Sequence, residues 1–411
     1  MQRLRDSHEL ELLQGGQEYF ASLVAAIDAS VHEVRLETYI FNFDASGRQV
    51  AAAMERAAVR GVQVFVTVDG VGTPQLPAPW RDRFDRAGVQ WRIFLPLGHF
   101  GLLIPSRWRR LHRKLCVVDD RVAYCGGINL LDDFVDPNHG ALSQPRLDFA
   151  VRVTGPLVHD VAHAMTRFWS RLTLASQVRG REFPAAWRAL QASLRASVAI
   201  GESGPNAGAD TRRSESRPSH GARAELVLRD NLRNRTRIER AYLKAIGEAR
   251  KEVVIANAYF LPGARLRKAL VHAAGRGVRV RLLLQGRYEY FLPYHASRPV
   301  YSALLKAGVE IHEYAASFLH AKVAVIDGHW ATVGSSNLDP LSLLLAREAN
   351  LLVDDTAFAS RLRARLEKAM ANGGKAVDAV VFSRRSLRRR TLEMLAFALM
   401  RVALFMVGRR Y

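Results

Sequence analysis

Two short stretches of the chain carry the same reactive residue types at the same spacing. The pattern His-x-Lys-x4-Asp occurs twice, as His112, Lys114 and Asp119 and again as His320, Lys322 and Asp327. An imidazole can attack an electrophile or transfer a proton near neutral pH, and a lysine ammonium group attracts an anion. The doubled pattern therefore indicates chemistry on a negatively charged group.

The residues around each copy predict a β-hairpin that presents the reactive side chains. Each motif reads as a short apolar strand, a tight turn and a returning strand. Because alternate residues of a strand point to the same face, the histidine and the lysine of each copy project together. The returning strands lead to Asn129 and Asn337. Just before these asparagines, the small residues Gly127 and Ser335 leave space for a ligand close to the backbone, and we expect them to contribute to phosphate binding.

Two such halves, facing each other, would form a pocket that suits a phosphodiester. The lysines and asparagines would hold the non-bridging oxygens and stabilise a pentacovalent phosphorane. One histidine would attack phosphorus while the other protonates the leaving alkoxide and later deprotonates the incoming alcohol or water. Two successive displacements predict a phosphohistidine intermediate and net retention at phosphorus. Asp119 and Asp327 lie too far along their strands to face this pocket, and we expect them to orient a histidine from behind.

The repetition extends beyond the motifs and indicates an internal duplication. Residues 34–70 resemble residues 254–286, since each reads as an apolar strand, a turn, an amphipathic helix and Arg-Gly-Val opening another apolar strand. Apolar strands that alternate with helices are typical of a sheet covered on both faces, so we predict an α/β fold. The predicted organisation comprises a first lobe at 1–200, a mobile linker at 201–223, a second lobe at 224–380 and a basic C-terminal segment at 381–411.

The charge of the chain favours a polyanionic partner. Its 60 lysines and arginines exceed its 39 aspartates and glutamates and give a net charge of +21. Either nucleic acid or an anionic lipid surface would suit this excess, and composition does not decide between them. The two cysteines, Cys116 and Cys125, have apolar neighbours, which predicts buried free thiols and a reducing, cytosol-facing location.

Two segments outside the motifs combine arginines with large apolar residues. In the C-terminal segment, Glu393 and Arg401 interrupt the apolar run and leave it too short for a membrane-spanning helix. The segment predicts a helix that lies in the membrane interface, with a helix docked on the protein's own core as the alternative. Residues 99–114, which lead into the first motif, could dip into lipid or form an ordinary covering loop.

The complete motif, His-x-Lys-x4-Asp-x6-Gly-[Gly/Ser]-x-Asn, resembles the signature of the phospholipase D superfamily, and both copies match it in full. The resemblance implies two similar α/β/α lobes with mixed sheets, related by internal duplication. It also implies one active site shared between the lobes without a metal or other cofactor, with His112 as the nucleophile and His320 as the acid and base. Flanking stretches such as "VRLETYIFNFDASG" and "YCGGINL" are similar to those of bacterial cardiolipin synthases, particularly the B type.

This similarity implies transfer of a phosphatidyl group from phosphatidylglycerol to a second phospholipid, either phosphatidylglycerol or phosphatidylethanolamine. The implied partners are an anionic phospholipid and the membrane surface rather than nucleic acid. The implied location is peripheral, on the cytoplasmic side of the inner membrane. Three other functions stay open from the sequence: hydrolysis of phospholipid, cleavage of nucleic acid by a nuclease of the same superfamily, and non-catalytic binding of anionic lipid.

Two further pairs of polar residues stand where they could support the histidines. Glu37 and Asn257 occupy equivalent places in the two repeats. The family resemblance implies that they support the active site, and a buried hydrogen-bonding role is the alternative. Glu348 and Asn350 share one face of a predicted strand and could brace a motif histidine.

Overall fold

The computed structural model describes residues 4–98, 101, 108–179, 221–230, 234–288, 291–339 and 346–406. Most of the predicted linker at 201–223 lies outside the described residues, as does most of the 99–107 part of the segment before the first motif.

The first half of the chain alternates strands with helices. In chain order its elements are β1 (Arg5–Gln14), α1 (Gly15–Asp28), β2 (Glu33–Thr38), α2 (Ala45–Val59), β3 (Gln63–Asp69), α3 (Ala78–Ala87), β4 (Gln90–Phe94), β5 (Arg110–Leu111), β6 (Leu115–Val118), β7 (Val122–Gly126), β8 (Val135–Asp136), β9 (Gly140–Ala141), β10 (Phe149–Thr154) and α4 (Leu157–Arg179). Asp44 caps α2 by accepting a hydrogen bond from the Gly47 amide at 3.0 Å, and Gly88 ends α3 in the left-handed region at φ 83°. Short-range capping chemistry therefore sets these helix boundaries.

The second half repeats this alternation. In chain order its elements are β11 (Ala222–Arg229), α5 (Arg237–Glu248), β12 (Glu252–Asn257), α6 (Ala264–Gly275), β13 (Arg279–Gln285), α7 (Phe291–Lys306), β14 (Glu310–Tyr314), β15 (Lys322–Ile326), β16 (Trp330–Gly334), β17 (Ala346–Asp354), α8 (Thr356–Gly373), β18 (Gly374–Ala376), α9 (Ala379–Ser383) and α10 (Leu387–Met406). Asp355 caps α8 as Asp44 caps α2, because its carboxylate accepts the Phe358 amide at 2.7 Å. Aspartate capping thus begins one helix in each half, although α2 and α8 do not occupy equivalent places in the element order.

Sixteen of the described strands form one continuous mixed sheet. In the first half the order is β4-β3-β2-β6-β7-β10-β1, in which β2, β3 and β4 are parallel and the other pairs are antiparallel. The second half has the equivalent order β14-β13-β12-β15-β16-β17-β11 with the same directions. Antiparallel pairing of β1 with β11 joins the halves. The predicted α/β fold with two similar lobes is confirmed.

Helices cover both faces of this sheet, as the apolar strands predict. In the first half, α1, α2 and α3 pack on one face and α4 packs on the other. In the second half, α5, α6 and α7 cover one face and α8 covers the other. The core beneath α4 and α8 contains residues of both halves, from Leu12 to Met165 and from Ala224 to Met370. The lobes therefore share a hydrophobic core as well as a sheet.

The C-terminal helix α10 docks on the protein along one side. It packs against α7, and Glu393, Ala396 and Met400 on that side are buried. The other side, here named the exposed apolar face of α10, consists of Leu392, Leu395, Leu399 and Val402, which are between 40% and 62% exposed. Docking on the core thus describes one side of this helix, and the other side is exposed. Among the described residues, no helix has both the length and the apolar character needed to cross a bilayer.

Candidate active site

The histidine of the first motif is held by residues of the second half. His112 lies between β5 and β6, and its Nδ1 is 3.1 Å from the Glu348 carboxylate and 3.2 Å from the Ser335 carbonyl oxygen. Its backbone N–H donates to the Arg347 carbonyl at 3.0 Å. Burial alone would raise the pKa of Glu348, but His112 and Lys114 hold that pKa below its usual range. Glu348 is therefore an ionised partner for the imidazole.

The histidine of the second motif is held in the same way by the first half. His320 Nδ1 is 2.6 Å from Asp148 Oδ2, and its backbone N–H donates to the Leu147 carbonyl at 2.9 Å. Burial raises the pKa of Asp148 to about 6. Burial, and after it the positive charge of Lys322, lowers the pKa of His320 well below its usual value. The neutral imidazole is therefore the favoured form of His320 at pH 7.

The internal duplication relates these two contacts, and both cross between the lobes. In each contact, the backbone N–H of the histidine donates to the carbonyl of the residue just before the acidic residue. The carboxylate of that acidic residue binds Nδ1 of the same histidine. Holding Nδ1 leaves Nε2 as the nitrogen that can react. His112 and His320 both line one cavity of about 510 Å³, so the two imidazoles serve a common site.

The two motif lysines place buried positive charge beside the histidines. Lys114 Nζ donates to the carbonyl of His112 at 2.8 Å, and Lys322 Nζ donates to the carbonyl of His320. Burial, with a further contribution from Lys322, lowers the pKa of Lys114 to about 7. A bound anion would favour the charged form of Lys114 and would offset the repulsion between the two lysines.

The expectation that Asp119 and Asp327 orient the histidines is wrong. Asp119 accepts hydrogen bonds from the backbone amides of residues 31–33, each at 2.8 Å. Asp327 accepts the equivalent amides of residues 250–252 at 2.8–3.0 Å. Because each aspartate sits in the hairpin turn at the far end of a strand from its histidine, its carboxylate reaches the start of the adjoining strand instead. These residues tie the motif hairpins to β2 and β12.

The motif asparagines line the same cavity as the histidines. Asn129 and Asn337 both contribute to its wall. Asn129 Oδ1 accepts the Ile40 amide at 3.2 Å, so the side chain presents its amino group as a donor. The position of these residues is therefore compatible with the predicted contact to phosphate oxygens.

Gly127 and Ser335 contact the carboxylates that hold the histidines rather than the cavity. A Cβ atom at position 127 would lie 2.3 Å from Asp148 Oδ1, so only glycine leaves room for that carboxylate. Ser335 Oγ donates to Glu348 Oε2 at 2.5 Å. The two equivalent positions thus support Asp148 and Glu348, which differs from the predicted direct role in phosphate binding.

Glu37 and Asn257 are buried supports of the motif hairpins. Glu37 forms an ion pair with Arg113 at 2.7 Å, and Asn257 Oδ1 accepts the Leu338 amide at 3.1 Å. Arg113 directly follows a motif histidine and Leu338 directly follows a motif asparagine. The sequence left two roles open for these residues, support of the active site or buried hydrogen bonding. The structure shows both residues in buried polar contacts.

The cavity around the histidines has apolar walls from both halves. Its large apolar lining residues include Tyr39, Ile40, Leu131, Tyr259, Phe260 and Leu261. Trp108 and Arg110, from the segment before the first motif, also line it. Met400 of α10 contributes as well, so the C-terminal helix borders the site. Such a lining suits a ligand that has both a charged and an apolar part.

The bracing residues show what sequence reasoning finds and what it misses. The prediction that Glu348 braces a histidine is confirmed, whereas Asn350 donates to Thr332 Oγ1 at 3.1 Å instead. The equivalent role of Asp148 was not predicted from the sequence. Asp148 directly precedes the apolar strand β10, and Glu348 lies near the start of the apolar strand β17. The inserted hairpin of β8 and β9 lengthens the first repeat here and obscures the match. Alignment of the two repeats beyond their motifs would have paired the carboxylates.

Comparisons with known proteins agree with this geometry. The family model described as "Cardiolipin synthase, PLD-like domain" matches residues 23–143 and 242–370, one match in each half. Over 404 residues the chain is 37% identical to cardiolipin synthase B of Salmonella typhi and 36% identical to cardiolipin synthase B of Escherichia coli (strain K12). Each alignment covers 98% of this chain and 90% of the relative.

Solved structures with low sequence identity share the fold. Phosphatidylserine synthase from Haemophilus influenzae Rd KW20 superimposes with a TM-score of 0.63 at 15% identity, covering 97% of this chain and 94% of that one. Polyphosphate kinase from Porphyromonas gingivalis superimposes with a TM-score of 0.54 at 13% identity, covering 97% of this chain and 53% of that one. At these identities the likeness shows the fold alone.

Proposed function

The chain belongs to the cardiolipin synthase family of phospholipase D-like proteins, and from this premise we propose that it transfers a phosphatidyl group from phosphatidylglycerol to a second phospholipid. The observation that carries this proposal is the pair of histidines at one cavity, each held at Nδ1 by a carboxylate of the other lobe. The apolar walls beside them suit the lipid part of the substrate.

In the first step, His112 Nε2 attacks the phosphorus of phosphatidylglycerol, and the bond from phosphorus to the headgroup glycerol oxygen breaks. His320 donates a proton to that oxygen, so glycerol leaves and the phosphatidyl group stays on His112. The attacking ring becomes positively charged, and the ionised Glu348 beside its Nδ1 stabilises that charge. The bound phosphodiester's negative charge favours protonation of His320, whose lowered pKa then makes it a strong acid.

The motif lysines and asparagines hold the phosphate while these bonds change. Each lysine is oriented by the carbonyl of its own motif histidine, and both asparagines line the cavity. Negative charge on the non-bridging oxygens grows in the phosphorane, so donors already in place lower its free energy more than that of the substrate.

In the second step, the neutral His320 removes the proton of an acceptor hydroxyl, whose oxygen attacks phosphorus and breaks the bond to His112 Nε2. We propose phosphatidylglycerol as the acceptor, because its headgroup carries hydroxyl groups whereas phosphatidylethanolamine presents an amine. A lipid acceptor seated against the apolar part of the wall would displace water there, which favours the lipid hydroxyl over hydrolysis. The sequence of two displacements returns both histidines to their starting states.

The proposed location is the cytoplasmic surface of the inner membrane, with the protein bound peripherally. Support comes from the exposed apolar face of α10, on a helix that also borders the cavity through Met400. Exposed arginines at 388–390 begin this helix and would attract anionic headgroups. A bilayer on this face would lie next to the helix whose docked side reaches the cavity through Met400.

Product analysis with the purified full-length protein tests the proposal. Labelled phosphatidylglycerol in mixed micelles is supplied to the wild type, to His112→Ala and to His272→Ala, a matched control at an exposed histidine of α6. We expect a doubly phosphatidylated glycerol and free glycerol from the wild type and the control, and neither from His112→Ala.

Two other outcomes would replace the proposal. Phosphatidic acid as the sole product would mean that water is the acceptor and that the protein hydrolyses phospholipid. Cleavage of single-stranded DNA without lipid turnover would mean that the protein is a nuclease of the same superfamily.

A further inference from the structure

A second cavity, distinct from the one around the histidines, is lined by an excess of arginines. It has a volume of about 760 Å³ and is bounded by α4, β11 and the start of α5. Its arginines are Arg113, Arg167, Arg171, Arg229, Arg237 and Arg347. Its acidic residues are Asp160 and Asp230. The lining therefore carries a net positive charge at neutral pH.

This basic cavity and the cavity around the histidines share no lining residue. Arg113 directly follows His112, and Arg347 directly precedes Glu348, but both arginines line the second cavity and neither lines the first. Alternate residues of an extended segment point to opposite faces, which explains how neighbours in sequence serve separate cavities. Phosphate bound among these arginines would thus be distinct from phosphate bound between the histidines.

Two guanidinium groups in this cavity lie close to the same aromatic ring. Arg113 is 4.8 Å and Arg347 is 5.0 Å from the centroid of Phe168. Arg113 is buried, and the Nε atoms of Arg113 and Arg347 have no hydrogen-bond partner in the part of the chain that the structure describes. Buried cations of like charge are costly unless an anion accompanies them.

The fixed acidic neighbours neutralise only part of this charge. Glu37 pairs with Arg113 at 2.7 Å, and Glu225 pairs with Arg237 at 3.0 Å. Burial, and after it the positive charge of Arg113, lowers the pKa of Arg347 to about 10.

Two of the six arginines that line the cavity are exposed to solvent. Arg167 and Arg171 are one turn apart on α4, so their side chains share one face of the helix, and both are exposed. Arginines gathered around one opening, with planar groups that carry several donors each, match the oxygens of a phosphate group.

We propose that this basic cavity is a second phosphate-binding site, which takes a phosphate group carried either by a lipid headgroup or by a free phosphate. The proposal does not depend on the transfer reaction, because binding at this site is measured without turnover. A negative result in the binding experiment therefore does not contradict the proposed transfer reaction, and a negative result for the transfer reaction does not contradict binding at this site.

Equilibrium dialysis with labelled inorganic phosphate tests the proposal on the full chain. Three proteins are compared: the wild type, Arg167→Gln/Arg171→Gln, and the matched control Arg48→Gln/Arg121→Gln, which removes two exposed arginines elsewhere. We expect the wild type and the control to bind one equivalent more than the cavity variant, or to bind that equivalent at least about tenfold more tightly. Equal uptake by all three proteins, with unchanged melting temperatures, would overturn the proposal.

A competition experiment then identifies the source of the phosphate. Dihexanoyl phosphatidic acid, a short-chain lipid phosphate, is titrated against labelled inorganic phosphate bound to the wild type and to the cavity variant. Displacement of the additional equivalent at a lower concentration than unlabelled phosphate requires would assign a lipid headgroup. Displacement at an equal or higher concentration would assign free phosphate.

Discussion

Glu348 and Asp148 give the two motif histidines different electrostatic partners, although the duplication makes their positions equivalent. The pKa of Glu348 is lowered, so it is ionised next to His112, whereas burial raises the pKa of Asp148 to about 6 next to His320. A full negative charge stabilises a ring that becomes cationic, which favours His112 as the group that attacks phosphorus.

The first residue-scale prediction concerns Glu348. Glu348→Gln keeps the size of the side chain but removes its charge, so we expect kcat to fall about 100-fold or more while KM changes little. Rapid acid quench and mass spectrometry should show less phosphohistidine on the peptide that contains His112. Glu248→Gln, at an exposed glutamate of α5, is the matched control. Normal phosphohistidine formation in Glu348→Gln would contradict the role given to this carboxylate.

The pH dependence of kcat/KM is the second prediction, and it follows from two shifted groups. Asp148, with a pKa of about 6, holds His320 as a carboxylate, so kcat/KM should fall as the pH drops through about 6. Lys114, with a pKa of about 7, attracts phosphate as an ammonium group, so kcat/KM should also fall as the pH rises through about 7. Steady-state rates across this range test both limbs. A basic limb that stays unchanged in Lys114→Arg would exclude Lys114 as its source.

The third prediction separates Asp119 from the chemistry. Asp119→Ala removes an acceptor of three backbone amides, and we expect the free energy of unfolding to fall by about 1–3 kcal/mol while kcat of the folded protein changes little. The folded-state pKa of Asp119 is lowered, so its contribution is present above the unfolded pKa and is lost as pH falls through the folded pKa. Denaturant titration measures the first effect. A 100-fold loss of kcat at unchanged stability would restore the catalytic role.

At the scale of elements, α10 has one side docked on the protein's core and one exposed apolar side. The sequence predicted these two arrangements as alternatives. Its buried side packs on α7, and its opposite side exposes leucines and a valine beside the arginines at 388–390. A helix with one docked side and one exposed apolar side can hold the protein at a lipid surface without leaving its own core.

The fourth prediction tests this helix by sedimentation with vesicles of phosphatidylcholine and phosphatidylglycerol. Leu395→Asp/Leu399→Asp places charge on the exposed apolar face of α10, so we expect vesicle binding to weaken at least about tenfold. Val31→Asp/Val59→Asp adds the same charge at two exposed valines of the first lobe and should bind nearly as the wild type does. Equal losses in both variants would mean that net charge, rather than this face, governs binding.

At the scale of the whole molecule, the lobes are one structural unit. The pairing of β1 with β11 makes the sheet continuous, and one hydrophobic core contains residues of both halves. The active-site contacts from His112 to Glu348 and from His320 to Asp148 cross between the lobes, so neither lobe completes a site by itself.

The fifth prediction is that the full-length chain unfolds in one cooperative thermal transition. The shared core and sheet couple the lobes, so loss of one should expose the apolar surface of the other. Differential scanning calorimetry measures this. Two resolved transitions would show that the interface between the lobes is weaker than their shared core indicates.

The motifs, the hairpins and the repeated strand–helix units were all predictable, because each depends on residues close together in the chain. The apolar strands and Arg-Gly-Val turns of both repeats, for example, carry the α/β fold in their local pattern. The roles of Asp119, Gly127 and Ser335 were not predictable in this way. Their partners come from other strands, and a spacing that both motifs share does not distinguish a residue that reacts from one that positions its neighbour.

The two contacts that hold the histidines needed the tertiary structure. His112 and Glu348 are 236 residues apart in the chain, and His320 and Asp148 are 172 residues apart. The sequence determined which side chains could do the chemistry, because reactivity belongs to residue type. Packing of the two lobes decided which carboxylate meets which imidazole, because that choice depends on surfaces brought together only when the shared core forms.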